Sequence, residues 1–270
     1  MGKSLNYRHF YTTLYIANLT CHKENIFMKH LSDTSNFSSS EEQGRKLQVI
    51  GHIHTDFPSK FGVPRQSGMI PSSEAYITFV PPFQNTDCFR GIEDYSHLWL
   101  IWEFSGNLEK GWSPTVRPPR LGGNQHVGVF ATRAPFRPNP LGLSCVRLIK
   151  TDVFAKGGPV LYVSGADLMD GTPIFDIKPY LPFTDSHPEA SGSFTNTTIE
   201  HRLTVQCDET LLAPLPPKKR TALLETLALD PRPSYQNDPT RIYGMAFAGF
   251  DVHFTVNDKI LTVQDILPES

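Results

Sequence analysis

The chain has 270 residues, a formal net charge of −2, 39% hydrophobic and 19% charged residues. That length allows one large domain or two small ones and needs neither disulfides nor metals to hold a core. The 23 prolines and 19 glycines exclude a coiled coil or helical bundle, no apolar run is long enough for a membrane span, and the charge excludes a broadly basic nucleic-acid coat.

In chain order, residues 1–46 are expected to be a disordered N-terminal extension or a mis-assigned start. Leu31 to Gly44 is Ser-rich and polar and cannot bury enough apolar surface to fold, and Met28 offers an alternative start. The opening lacks the basic, apolar and small-residue succession of a cleavable signal. From Leu47, short β-rich runs alternate with turn residues. LQVIGHI, AYITFV, HLWLIWEF, HVGVFATR, LSCVRLIKTDVF and PVLYVSGADL read as strands, with a short helix near Thr86 to Tyr95. Strand follows strand without long intervening helices, which predicts a barrel or sandwich.

After Ala166 the chain reads as turn-rich and carboxylate-bearing. LTVQCDE is a further strand. Leu211 to Leu229 predicts a helix that starts after Pro214, Pro216 and Pro217 and stops before Asp230. Tyr243 to Val263 predicts a closing hairpin turning at Asn257-Asp258. The predicted fold is mainly β, a barrel over residues 47–185 followed by a smaller α+β domain over residues 186–270.

Common chemistry signatures are missing. There is no G-x-S-x-G, no P-loop and no G-x-G-x-x-G. Cys21, Cys88, Cys145 and Cys207 form no C-x-x-C pair, so four free thiols in a reducing cytoplasm are expected. His52 and His54 share one strand face and read as a surface pair on an edge strand. No metal is expected.

Four polar segments are fixed by Pro and Gly: Gly62 to Gln66, Arg117 to Asn124, Ala131 to Pro140 and Asp167 to Pro173. Arginines between prolines lose less freedom on binding, and fixed guanidinium forks suit phosphate, carboxylate or base edges. Four such loops in one chain predict a binding surface for an anionic ligand.

The stretches PRQ, GIEDYSHLWLIWEF, GWSPTVRPPRLGGN, VGVFATRAPFRPNPLGLS, LMDGTPIFDIKPYLPF and DPRPSY resemble the TrmO (YaeB-like) tRNA methyltransferase family, from about Leu47 to the C-terminus. The resemblance implies a small non-Rossmann β-barrel and a homodimer with its cofactor site close to the subunit interface. It also implies transfer of a methyl group from S-adenosylmethionine to N6 of N6-threonylcarbamoyladenosine at position 37 of tRNA. It assigns cofactor binding to Pro64, Arg65, Gln66, His97, Leu98, Arg133, Leu143, Asp167, Leu168, Met169, Asp170 and Gly171. Chemically, an arginine can pair the methionyl carboxylate in bidentate fashion, and an aspartate can accept from the ribose or the amino group.

For the tRNA, Arg117, Arg120, Arg137, Lys178 and Arg232 in the motif loops are candidate contacts, with Lys218, Lys219 and Arg220 as a second basic cluster. Tyr235, Tyr180 and Phe183 are candidate stacking residues. The acceptor nitrogen is of ureido type and a poor nucleophile until its proton leaves, so a general base is useful. Asp170, Asp176, Asp230 and Tyr180 are the candidates, and the sequence does not choose among them. Two other readings stand beside this one: a non-catalytic cofactor- or RNA-binding barrel, and a methyltransferase acting on another substrate.

Overall fold

The structure, a computed structural model, describes residues 46–118, 121, 125–192, 202–232, 236 and 238–269. The expectation for residues 1–46 therefore falls, Lys46 apart, outside the described residues, as do Arg120 and Tyr235.

Eight strands form the first part: β1 (Gly51–His54), β2 (Glu74–Phe79), β3 (His97–Glu103), β4 (Thr115–Val116), β5 (Val127–Gly128), β6 (Leu141–Asp152), β7 (Val160–Ser164) and β8 (Thr172–Pro179). Six of them close a barrel in the order β1-β2-β7-β6-β3-β8, every pairing antiparallel, while β4 and β5 pair only with each other. Alternation along the strands decides which side chains fill the barrel. In β3, Leu98, Leu100 and Trp102 point inward and are buried, while their neighbours face out. Ile53, Ile77, Leu161, Val163, Val146 and Ile174 fill the same interior, so this small barrel is a packed core and not a pore.

Four sequence readings are corrected here. The segment after Ala166 holds β8, the strand that pairs with both β1 and β3 and closes the barrel. Thr172 and Ile174 alternate inward, but Pro173, Asp176 and Lys178 blur the pattern. HVGVFATR is strand only at Val127–Gly128. The chain then turns through a 3-10 segment, Val129–Ala131, because Thr132 donates back to the Val129 carbonyl. His52 and His54 are not on an edge, since β1 is paired on both sides. His54 stacks on Tyr76 at 4.7 Å and meets Thr78 Oγ1 at 3.1 Å. The helix expected near Thr86 is two 3-10 turns, Thr86–Phe89 and Ile92–Asp94, separated where Gly91 takes φ +83.

A single helical turn, α1 (Pro182–Asp185), leaves the barrel. The second part comprises β9 (Thr204–Gln206), α2 (Pro217–Ala228), β10 (Tyr243–Phe247), β11 (Phe250–Asn257) and β12 (Ile260–Pro268), in a sheet ordered β10-β11-β12-β9 with β9 parallel to β12. α2 starts one residue earlier than expected, with Pro217 itself at its first helical position. The expected hairpin is a three-stranded meander. It turns at Asp258-Lys259 and also at Ala248-Gly249, where positive φ at both residues suits a tight hairpin turn. Ala222, Leu223 and Leu227 of α2 pack on this sheet. No described helix is long and apolar enough to cross a membrane.

The two cores share one segment. The long β1–β2 connection leaves the barrel and buries Phe57 and Ile70 in the second core, against Phe247, Met245 and the helix. Polar contacts fix it there. Lys219 of α2 pairs with Asp56 at 2.6 Å, Lys218 with Glu74 at 3.2 Å, and the Ser72 hydroxyl donates to Glu225 at 2.5 Å. Burial pushes the Asp56 carboxyl up from its ordinary value, and Lys219 opposes that rise. The basic run Lys218, Lys219 and Arg220 is thus engaged within the fold, Arg220 through the carbonyls of Leu215 and Ala213.

Candidate functional site

A cavity of about 450 Å³ opens at one end of the barrel, within the range of ordinary small-molecule sites. The end of β3 supplies Trp102 and Glu103, and the start of β6 supplies Leu141, Gly142 and Leu143. Asp167, Met169 and Thr172 come from the approach to β8. The β1–β2 connection adds Lys60 and Val63 to Gln66, and Thr132, Arg133, Pro135 and Arg137 complete the wall.

Its floor is a buried polar chain. Trp102 Nε1 donates to Ser144 Oγ at 2.9 Å, and the Ser144 hydroxyl donates to Asp167 Oδ1 at 2.5 Å. Cross-strand register builds this chain: Trp102 lies opposite Gly142, and Leu100 opposite Ser144. Gly142 is required, because a Cβ there would fall inside the Trp102 indole. Burial pushes the Asp167 carboxyl up to about 6, opposed by the Ser144 hydroxyl and the positive charge of Arg133. Arg133 in turn donates from Nη1 to Gln66 Oε1 at 2.5 Å.

The Pro64-Arg65-Gln66 loop is held from behind. Gly62 adopts φ +95, and a Cβ there would collide with the Met245 sulfur of the second core. Arg65 Nη2 reaches the Asp230 carbonyl at 3.4 Å. Lys60 Nζ bonds the Gly106 carbonyl and Asn107 Oδ1, tying the same connection to the 3-10 segment Ser105–Lys110.

The structure brings together seven of the residues assigned to the cofactor: Pro64, Arg65, Gln66, Arg133, Leu143, Asp167 and Met169. The other five do not line the cavity. His97 and Leu98 sit at the opposite end of β3, five and four residues, or about 16 and 13 Å, from Trp102 at ~3.3 Å per residue. The Leu98 and Leu168 side chains lie in the barrel core. Asp170 and Gly171 form the turn behind the wall, where Asp170 accepts from the Thr55 amide at 3.0 Å and stands 3.5 Å from His54.

None of the four candidate bases lines the cavity. Asp170 faces away, Asp176 pairs with Lys178 at 3.0 Å, and Tyr180 packs against Trp99 and His97. Asp230 is buried and held by Arg232 through two bonds of 2.9 and 3.0 Å. The same pair occupies Arg232, whose side chain is 8% exposed. Arg117 donates from Nε to His126 Nε2 at 3.0 Å, Arg137 is bonded to backbone carbonyls beside the cavity, and Lys178 stays exposed on the barrel wall. Sequence reasoning missed Lys60, Trp102, Glu103 and Ser144. The inward alternation of β3 marks Trp102, whereas Ser144 needs the register.

A small antiparallel barrel with an arginine and a buried carboxylate in one rim cavity defines a ligand-binding β-barrel outside the Rossmann class. The chain belongs to the tRNA-methyltransferase O (TrmO) family, whose N-terminal domain matches residues 52–186 and whose C-terminal domain matches residues 199–269. It is 41% identical over 221 residues to the tRNA (adenine(37)-N6)-methyltransferase of Escherichia coli, covering 79% of this chain and 94% of that protein. It is 44% identical over 173 residues to the protein of the same name from Eikenella corrodens, covering 64% of this chain and 97% of that one. A crystal structure of TrmO from Pseudomonas aeruginosa superposes with a TM-score of 0.68 at 30% identity, over 82% of this chain and 97% of that one.

Proposed function

We propose that this chain is an S-adenosylmethionine-dependent methyltransferase that acts on N6 of N6-threonylcarbamoyladenosine at position 37 of tRNA. The adenine-37 N6 specificity rests on what the related proteins are named for. The observation that carries the cofactor is the cavity's donor set. Arg133 suits a carboxylate, the Asp167 carboxylate suits a neighbouring cation, and Trp102, Leu143 and Met169 offer apolar walls. That is the chemistry of S-adenosylmethionine, a zwitterion with a sulfonium charge, so the residues present fit the group.

When bound, S-adenosylmethionine supplies an electrophilic methyl group. The residues contribute orientation. Arg133, steadied by Gln66, holds the carboxylate end. Asp167, steadied by Ser144 and Trp102, offsets positive charge in a site shielded from water. Holding acceptor and donor in line at near-attack distance is the main source of rate in such a displacement.

Residues 47–185 serve in this reading as the cofactor-binding domain and residues 186–270 as a contact surface for tRNA, with the chain working in the cytoplasm as a homodimer. The exposed Leu143 at the cavity edge supports cover by a second copy, and the free thiols of Cys88, Cys145 and Cys207 support a reducing compartment. The test supplies radiolabelled S-adenosylmethionine and two tRNA pools, one carrying threonylcarbamoyladenosine and one from cells unable to make it. Label is expected in the first pool alone. Label in both overturns the substrate, and label in neither overturns the enzyme.

A further inference from the structure

Beside the cavity the protein holds a large aromatic side chain out in water. Phe130 is 78% exposed, and Trp112, on the adjoining segment, is 59% exposed. The two segments are joined locally: the Val129 amide donates to the Pro114 carbonyl at 2.9 Å, and the Ser113 amide to the Phe136 carbonyl at 3.1 Å. β4 and β5 run between them as a two-stranded ribbon.

Phe130 is displayed on a braced turn. Val129 is buried, so its successor in the 3-10 turn points away from the core. The Val129 carbonyl accepts from the Thr132 hydroxyl at 2.9 Å and from Arg137 Nη1 at 3.0 Å, and the same nitrogen donates to the Thr132 carbonyl at 2.6 Å. The Arg137 guanidinium carbon stands 5.9 Å from the Phe130 ring centre. The backbone that carries the ring is thus fixed and has little conformational freedom left to lose on binding. Its turn runs directly into Thr132 and Arg133 of the cavity wall, where Lys60, Arg65, Arg133 and Arg137 outnumber Glu103 and Asp167. A fixed aromatic face among arginines, continuous with a cofactor cavity, is the chemistry that takes unpaired nucleobases and their phosphates.

We propose that Phe130 is a stacking platform for an unpaired base of the tRNA loop beside the target adenosine, with Trp112 flanking it. The inference rests on the tRNA reading above and assigns that reading a specific contact. The cationic cavity wall favours a polyanion such as the tRNA backbone.

The test compares the full-length wild type with Phe130→Ala and Phe130→Trp in equilibrium binding to tRNA, with calorimetry of S-adenosylmethionine binding and sedimentation in parallel. Phe130→Ala is expected to weaken tRNA binding about 5- to 100-fold, the span of a lost base–aromatic stack. Phe130→Trp is expected to restore it, and cofactor affinity to stay within about two-fold in both. tRNA affinity unchanged in Phe130→Ala overturns the proposal. So does equal loss in both variants, or a shift in oligomeric state that leaves RNA affinity intact. A wild type that binds no tRNA overturns the substrate reading itself, which separates the two failures.

Discussion

At the residue scale, Asp167 is the group whose environment does most to define the site. Burial raises its carboxyl to about 6 from an ordinary 3.8, so between those values the folded protein binds more protons than the unfolded chain. Stability therefore falls as pH rises through that window, by up to about 3 kcal/mol for a shift of ~2 units. A bound cation favours the ionised form, so S-adenosylmethionine is expected to bind more tightly as pH rises from 5 towards 7. Asp167→Asn is expected to flatten that dependence, weaken cofactor binding and raise the melting temperature of the ligand-free protein above pH 6. Calorimetry and thermal melts across pH check all three. Arg133 and Asp167 were both marked in the sequence by the Pro- and Gly-fixed loops and by the TrmO likeness. Trp102 and Ser144, which make Asp167 what it is, were not, because their meeting depends on which residues face each other across β3 and β6. Asp230 and Arg232, both candidates in a Pro-rich loop, lie two residues apart and bond each other in the interior.

At the scale of elements, alternation of apolar and polar residues located most barrel strands, since each exposes one face to the core and one to solvent. β8 escaped because a proline and two charges sit on its outer face, and its pairing with β3 shifts register between Ile101 and Trp102. The element that matters most for the cavity is the β1–β2 connection, and its weak point is Gly62. Gly62→Ala places a Cβ against Met245 and forces an alanine into φ +95. Backbone strain of this kind costs about 1–3 kcal/mol, so a lower melting temperature is expected. Because Pro64 to Gln66 follow directly, cofactor affinity is expected to fall in the same variant while Arg133 and Asp167 remain in place. Pairing Gly62→Ala with Met245→Ala is expected to recover part of the cofactor affinity by making room for the new methyl. Calorimetry on the single and double variants reads that recovery.

At the scale of the whole molecule, a barrel followed by an α+β unit is the order that the sequence predicted. The division is less clean than a boundary at residue 186 implies, because Phe57 and Ile70 belong in sequence to the first part and in space to the second core. No local pattern in the sequence announces such a loan. Its consequence is testable by truncation: a chain ending after the barrel, near Gly192, leaves those side chains and the back of the Pro64–Gln66 loop uncovered. That fragment is expected to aggregate on size exclusion and to show no cofactor binding in calorimetry, where the full chain binds. The same feature sets a schedule for the protein's birth. Phe57 meets Phe247, and Gly62 meets Met245, across most of the length of the chain. A nascent chain carrying every residue of the cavity has therefore not yet made the surface that seats its own binding loop. Folding that ordinarily proceeds behind the ribosome, first part first, must here wait for the last strands to emerge. The Pro64 to Gln66 loop is seated only once β10 has been made.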